Sequence, residues 1–245
     1  MSLNVANPNE AFKLKSDPSY NMEWSTESMP RPDSLELYDT DEIYSFNYPF
    51  DYTELNRLHK LAIEFKSAPR ISSSGTITDW WDNSLWGFDE ARAATAAGDI
   101  DFTYVLELAK EFEMPETDSF AFYSQAPWSK HNWHTDSLCE CSMNVLLEGS
   151  DDGSWDLDQY GPVQYKRETI DGVRQFVTYN SKPKPDDDWD NFFYRNSIIN
   201  TRHTHRAYAE GDPRRMFRFS IRDDFDRTIL RFKKMWENNE KIQTP

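Results

Sequence analysis

The feature that most limits how this chain can fold is a run of short, aromatic and β-branched segments in its middle. They are FAFYS (120–124), SMNVLL (142–147), VQYK (163–166), RQFVTY (174–179), FFYRNSII (192–199) and RRMFRFSI (214–221). Turn-forming stretches separate them: 149–153 with two glycines, Asp171-Gly172, 183–188, and Gly211-Asp212-Pro213. No helical periodicity lies between them, so the strands must pair antiparallel, as a sandwich or a barrel. Helical spacing appears only outside this block. It is carried by Leu58, Leu61, Ala62 and Phe65, by the stretch 88–97 before Gly98, by Phe102, Val105, Leu106, Ala109 and Phe112, and by Phe225, Ile229, Phe232 and Trp236. The expected fold is mainly β, with its β-core over about 118–223 and helices packed on the outside. Residues 1–40 are polar and carry prolines at 8, 18, 30 and 32. They are expected to form an extended arm, with 41–245 as one domain.

Composition excludes several classes. Thirty-eight per cent of the residues are apolar and 15% aromatic, enough for one large core in 245 residues. No stretch is long and apolar enough for a membrane span, and the N-terminus lacks the apolar segment of a secretory signal. Two cysteines, Cys139 and Cys141, make no disulfide framework, so a cytoplasmic home is expected. A net charge of −16 repels phosphate backbones and argues against nucleic acid as a bulk partner. The acidic run 186–188 reads as a solvated loop. Oligomeric state leaves no trace in the sequence.

The chain has five histidines. His59 sits within the first helical stretch and reads as a partly exposed helix residue. The other four form two clusters inside the β-block, HNWHTD (131–136) and HTH (203–205). Strand residues two apart point to one side, so His134 and Asp136 can present an imidazole and a carboxylate to the same ion. A second imidazole from a distant strand would complete a facial set with open positions, the arrangement of non-haem Fe(II) oxygenases. An arginine-rich strand follows, with Arg214, Arg215, Arg218 and Arg222. A guanidinium fork holds a carboxylate bidentately, so this strand is a candidate anion site.

His134-x-Asp136, the later Asn200-Thr201-x-x-x-His205 and an arginine about ten positions on together resemble the Fe(II)- and 2-oxoglutarate-dependent dioxygenases. These are built on a double-stranded β-helix, or jelly roll. The resemblance covers roughly 118–223. It implies Fe(II) held by His134, Asp136 and His205, with His203 in reserve. It also implies 2-oxoglutarate as cosubstrate, anchored by Arg215 or by Arg218 with Ser220. Arg215 is preferred for its spacing and because Phe217, Phe219 and Ile221, on its face, read as barrel lining. Tyr123 and Asn144 are candidates to reach the cosubstrate. The implied reaction hydroxylates an amino-acid or protein side chain or a small metabolite with O2, releasing succinate and CO2, with ascorbate as an accessory reductant. Trp128, Trp133 and Trp155 either line a substrate mouth or belong to the core.

Other readings compete. His203-x-His205 with Glu210 imitates a cupin motif, but the flanking glycines are wrong and no later histidine follows. A structural zinc site from His131, His134, Cys139 and Cys141 would need a tight knuckle that no glycine supplies. Neither cysteine carries a nucleophile signature, and both read as buried structural thiols on one strand face. A non-catalytic jelly-roll binding or structural protein is the remaining alternative.

Overall fold

The structure, a computed structural model, describes residues 22–24, 37–66, 81–125, 129–131, 136, 139–147, 163–166, 189–192, 194–203, 205–207 and 214–237. The expected strand at 174–179 lies outside them. The strands are β1 (Met22–Trp24), β2 (Ile43–Ser45), β3 (Trp81–Gly87), β4 (Ser119–Gln125), β5 (Ser129–His131), β6 (Cys141–Leu146), β7 (Val163–Lys166), β8 (Trp189–Phe192), β9 (Asn196–Asn200), β10 (His205–Ala207) and β11 (Arg214–Ile221). The helices are α1 (Tyr52–Phe65), α2 (Phe88–Ala97), α3 (Thr103–Glu111) and α4 (Phe225–Glu237). A six-stranded antiparallel sheet, in the order β2-β9-β6-β11-β4-β3, dominates. A smaller sheet runs β10-β7-β8, and β1 pairs with β5. The fold is mainly β with flanking helices. None of the described helices is long and apolar enough to cross a membrane.

The two faces of the large sheet follow from period-two alternation. One face carries Trp86, Phe120, Phe122, Met143, Val145, Ile198, Phe217 and Phe219, which form one buried cluster with the apolar sides of all four helices. Rings interlock across it: Phe120 lies 5.4 Å from Phe102, and Phe112 stacks on Phe232 at 5.6 Å. The opposite face is polar. Its register rows align Ser197, Asn144, Arg218 and Ala121 across β9, β6, β11 and β4. Ser142, Asn144 and Ser197 on it are fully buried nevertheless. A polar, buried sheet face is costly unless its groups are satisfied or receive a ligand.

Several elements depart from expectation for local reasons. The segment 192–199 is two strands in two sheets, with Phe192 ending β8 and Asn196 opening β9. The Arg195 carbonyl there accepts from Leu146 N. β2 and β3 carry no strand signal: β2 is short, and Asp82-Asn83-Ser84 reads as a turn. In β3 the pleat places Ser84 and Trp86 towards the helices, where Trp86 Nε1 donates to Ser84 Oγ and that hydroxyl donates to the Ala62 carbonyl. Phe65, expected in the core, is 55% exposed at the end of α1. His59 is the reverse case. It is buried, edge-on to Phe122, with Nε2 3.0 Å from both the Tyr123 carbonyl and Ser124 Oγ. The turn of α1 that holds Leu55, Leu58 and Ala62 against the sheet carries His59 in with them.

Candidate functional site

Asp136 sits where the chain before β6 is stitched to the chain after β9. Its N–H donates to the Thr201 carbonyl at 2.9 Å, and its own carbonyl accepts from Arg202 Nη1 at 3.2 Å. Thr201 N–H reaches the Glu140 carbonyl, Thr201 Oγ1 donates to the Cys139 carbonyl at 3.1 Å, and Arg202 Nε pairs with Glu140 at 3.0 Å. These bonds continue the β6–β9 ladder past its Cys141–Asn200 rung. They explain why Asn200-Thr201 and the 136–141 segment matter to each other although sixty residues separate them.

The Asp136 carboxylate points to the polar face. Arg218 Nη2 bonds its Oδ2 closely, and the Cys139 thiol lies 3.6 Å from the same oxygen. Arg218 Nη2 is also 2.9 Å from Cys139 Sγ, and Thr201 Oγ1 is 3.5 Å from that sulfur. The side chains of Arg218 and Asp136 are only 14% and 15% exposed. Burial opposes the charge on Arg218, but the Asp136 carboxylate beside it outweighs this and holds the guanidinium charged well above its ordinary range. Burial pushes the Cys139 thiol up, although Arg218 pulls the other way. Tyr123, 5.8 Å from the guanidinium as a ring face, is likewise pushed up by burial and bonded to Asn83.

His205 opens β10 and is buried. Its Nδ1 is 2.9 Å from the His203 carbonyl, which can only accept. Nδ1 therefore carries the hydrogen, and in the neutral ring Nε2 presents its lone pair, the tautomer a metal ligand needs. His203 precedes the strand and does not share its face. It is exposed, with Nδ1 3.9 Å from Glu42. His134, Trp128, Trp133, Trp155 and Glu210 lie outside the described residues. Among the described residues no three His, Cys, Asp or Glu side chains converge as a metal site.

The arginines of β11 divide by parity. Arg215 is exposed. It shares its side with Phe217 and Phe219, which face the helices, so of the two reasons for preferring it the one from its face is lost and the spacing remains. Arg218, Ser220, Tyr123 and Asn144 share the polar face, with Asn144 directly opposite Arg218 in register. Arg214 is also on that face; the sequence marks it only as one arginine of the candidate anion-binding strand. It is buried, donates to the Tyr194 hydroxyl at 2.9 Å, and meets no carboxylate among the described residues. Its Nε, the Arg218 Nε and the Ser197 hydroxyl are buried without partners among those residues. Arg214, Cys139, Thr201 and Ser197 are thus the additions the structure makes. The signal for Arg214 lay in the sequence: had the aromatics of RRMFRFSI been assigned to the helices, its even positions would have faced inward.

The cysteines do not share a face either. A bend at Glu140 precedes the strand. Cys139 turns to Arg218, whereas Cys141 packs into the core, 3.5 Å from Thr228 Oγ1. This leaves little basis for a zinc knuckle.

No family model matches the sequence, and no curated protein matches it. Solved structures do. A prolyl-4-hydroxylase from Pseudomonas putida is 12% identical with a TM-score of 0.41, over 73% of this chain and 91% of that one. The non-heme alpha-ketoglutarate-dependent epimerase SnoN from nogalamycin biosynthesis is 14% identical with a TM-score of 0.42, over 70% and 74%. A cupin-like protein from Thermotoga maritima is 9% identical with a TM-score of 0.27, over 60% and 75%. Likeness this loose assigns no activity, which must rest on the side chains.

Proposed function

We propose that the chain is an Fe(II)- and 2-oxoglutarate-dependent oxygenase that hydroxylates an amino-acid or protein side chain or a small metabolite. The observation that carries this reading is the buried polar face. It presents a positioned carboxylate, Asp136, and on the same strand as that carboxylate's partner a second inward arginine, Arg214, with no acid described beside it. A buried cation without a counter-charge is costly, and an anionic ligand relieves it. Asp136 and His205, with His134 outside the described residues, would hold Fe(II), and Arg214 Nε and the Ser197 hydroxyl, buried without partners among the described residues, would suit a dianion's oxygens.

Fe(II) with 2-oxoglutarate supplies the oxidant for C–H hydroxylation, using O2 and releasing succinate and CO2. The chain's own contribution is placement and desolvation. Arg214 takes the far carboxylate of 2-oxoglutarate as a charge-assisted fork. Asn144 and Ser197 offer neutral hydrogen bonds along the same face. The aromatic sheet face behind them keeps water out and the strands rigid.

The test is succinate release from 2-oxoglutarate by the full chain with Fe(II), ascorbate and pools of amino acids, peptides and cell extract. Substrate-stimulated release that is lost in His134→Ala, Asp136→Ala and His205→Ala is expected. A wild-type chain that neither binds Fe(II) nor releases succinate would instead be a non-catalytic jelly-roll protein.

A further inference from the structure

We propose that Arg218, Cys139 and Thr201 are positioning residues that clamp the Asp136 carboxylate for a divalent metal ion, and that Arg218 is not a cosubstrate anchor. The inference rests on the reading of Asp136 as a metal ligand. Its own evidence is a set of contacts that meet at one oxygen. Arg218 Nη2 and the Cys139 thiol both meet Oδ2 of Asp136. Arg218 Nη2 is also 2.9 Å from Cys139 Sγ, so the thiol accepts from the guanidinium while its own hydrogen serves the carboxylate. Thr201 Oγ1 stands 3.5 Å behind the sulfur and ties itself to the Cys139 carbonyl, and the Thr201 carbonyl holds Asp136 N–H. Arg218 and Cys139 thereby hold one carboxylate oxygen, Thr201 Oγ1 stands against the sulfur, and the Thr201 main-chain carbonyl holds the Asp136 backbone.

Two effects of Arg218 on a bound cation oppose each other. Its positive charge repels the ion. Its hydrogen bond fixes the carboxylate, and loss of such outer partners lowers metal affinity about 10–100-fold. The guanidinium charge is spread over three nitrogens and already answered by Asp136, so orientation outweighs repulsion. Cys139 is the informative member, because replacing it removes one contact to Oδ2 and leaves the Arg218–Asp136 pair in place.

The experiment is titration of the full chain with Co(II) alone, followed by its visible d–d bands, with circular dichroism as the folding control. Wild type is expected to bind one Co(II), and Asp136→Ala and His205→Ala to lose it. Arg218→Gln is expected to weaken binding about 10–100-fold and shift the bands. Cys139→Ala is expected to weaken it several-fold, with Cys139→Ser recovering most of the loss. If folded Cys139→Ala and Arg218→Gln bind Co(II) as tightly as wild type, or more tightly, the clamp is wrong while the metal site stands. If Arg218→Gln fails to fold, Cys139→Ala against Cys139→Ser decides alone. If wild type binds no Co(II), or Asp136→Ala binds it equally, the metal reading fails and the clamp with it.

Discussion

Arg214, Arg215 and Arg218 show how much one position changes on a strand. All three lie on β11, yet Arg215 is in solvent, Arg218 is paired with Asp136, and Arg214 is buried beside Tyr194. A carboxylate bonded to a buried guanidinium gains about 1.5–3 kcal/mol. Arg214→Met should therefore raise the KM for 2-oxoglutarate about tenfold or more, and Arg215→Met should leave it near wild type. Steady-state succinate assays decide this, and equal effects would contradict the assignment. The thiols make a second residue-scale prediction. Burial pushes Cys141 up to about 12 and Cys139 up as well. Neither should react with Ellman's reagent at pH 8 until denaturant is added. Spacing in the sequence singled out Asp136 and His205, and the structure gives each a defined hydrogen-bonded position; His134 lies outside the described residues. Residue chemistry was illegible for Cys139, because whether a thiol two residues before another shares its face depends on a bend that no residue type announces.

At the scale of elements, β11 joins the two halves of the molecule. Its odd positions feed the aromatic core and its even positions the polar face. Phe219→Ala should cost about 3–5 kcal/mol, read as a drop in urea midpoint with the slope unchanged. If it costs less than 1 kcal/mol, Phe219 is not the core residue described. The helices were legible because their apolar spacing matches their buried sides, and Asp51 caps α1 by accepting from Glu54 N–H at 2.9 Å. The edge strands were not, because an edge strand needs only one buried face and β3 spends its middle on Asp82, Asn83 and Ser84.

For the whole molecule, the large sheet divides an aromatic side from a polar side, and its buried ionisable groups make stability depend on pH. Cys141 and Tyr52 both have folded-state values raised to about 12 by burial. A raised value stabilises the fold fully below the unfolded pKa and loses that contribution as pH rises towards the folded one. For Cys141 the loss begins near pH 8.5, at up to about 1.4 kcal/mol per pH unit. Urea unfolding between pH 8 and 10.5 should fall more steeply for wild type than for Cys141→Ala, and parallel curves would refute this. The antiparallel β-block and its flanking helices were legible from segment composition alone. Which sheet face meets the helices was not, since aromatic residues suit a core on either side.

His134, Asp136 and His205 are proposed to hold one ion. Crystals grown with Mn(II) and 2-oxoglutarate, measured for anomalous scattering, test it most directly. A single strong peak is expected, bonded to one nitrogen of His134, an oxygen of Asp136 and Nε2 of His205, with 2-oxoglutarate extending towards Arg214. A peak elsewhere, or none in crystals whose density shows those three side chains apart, would contradict it.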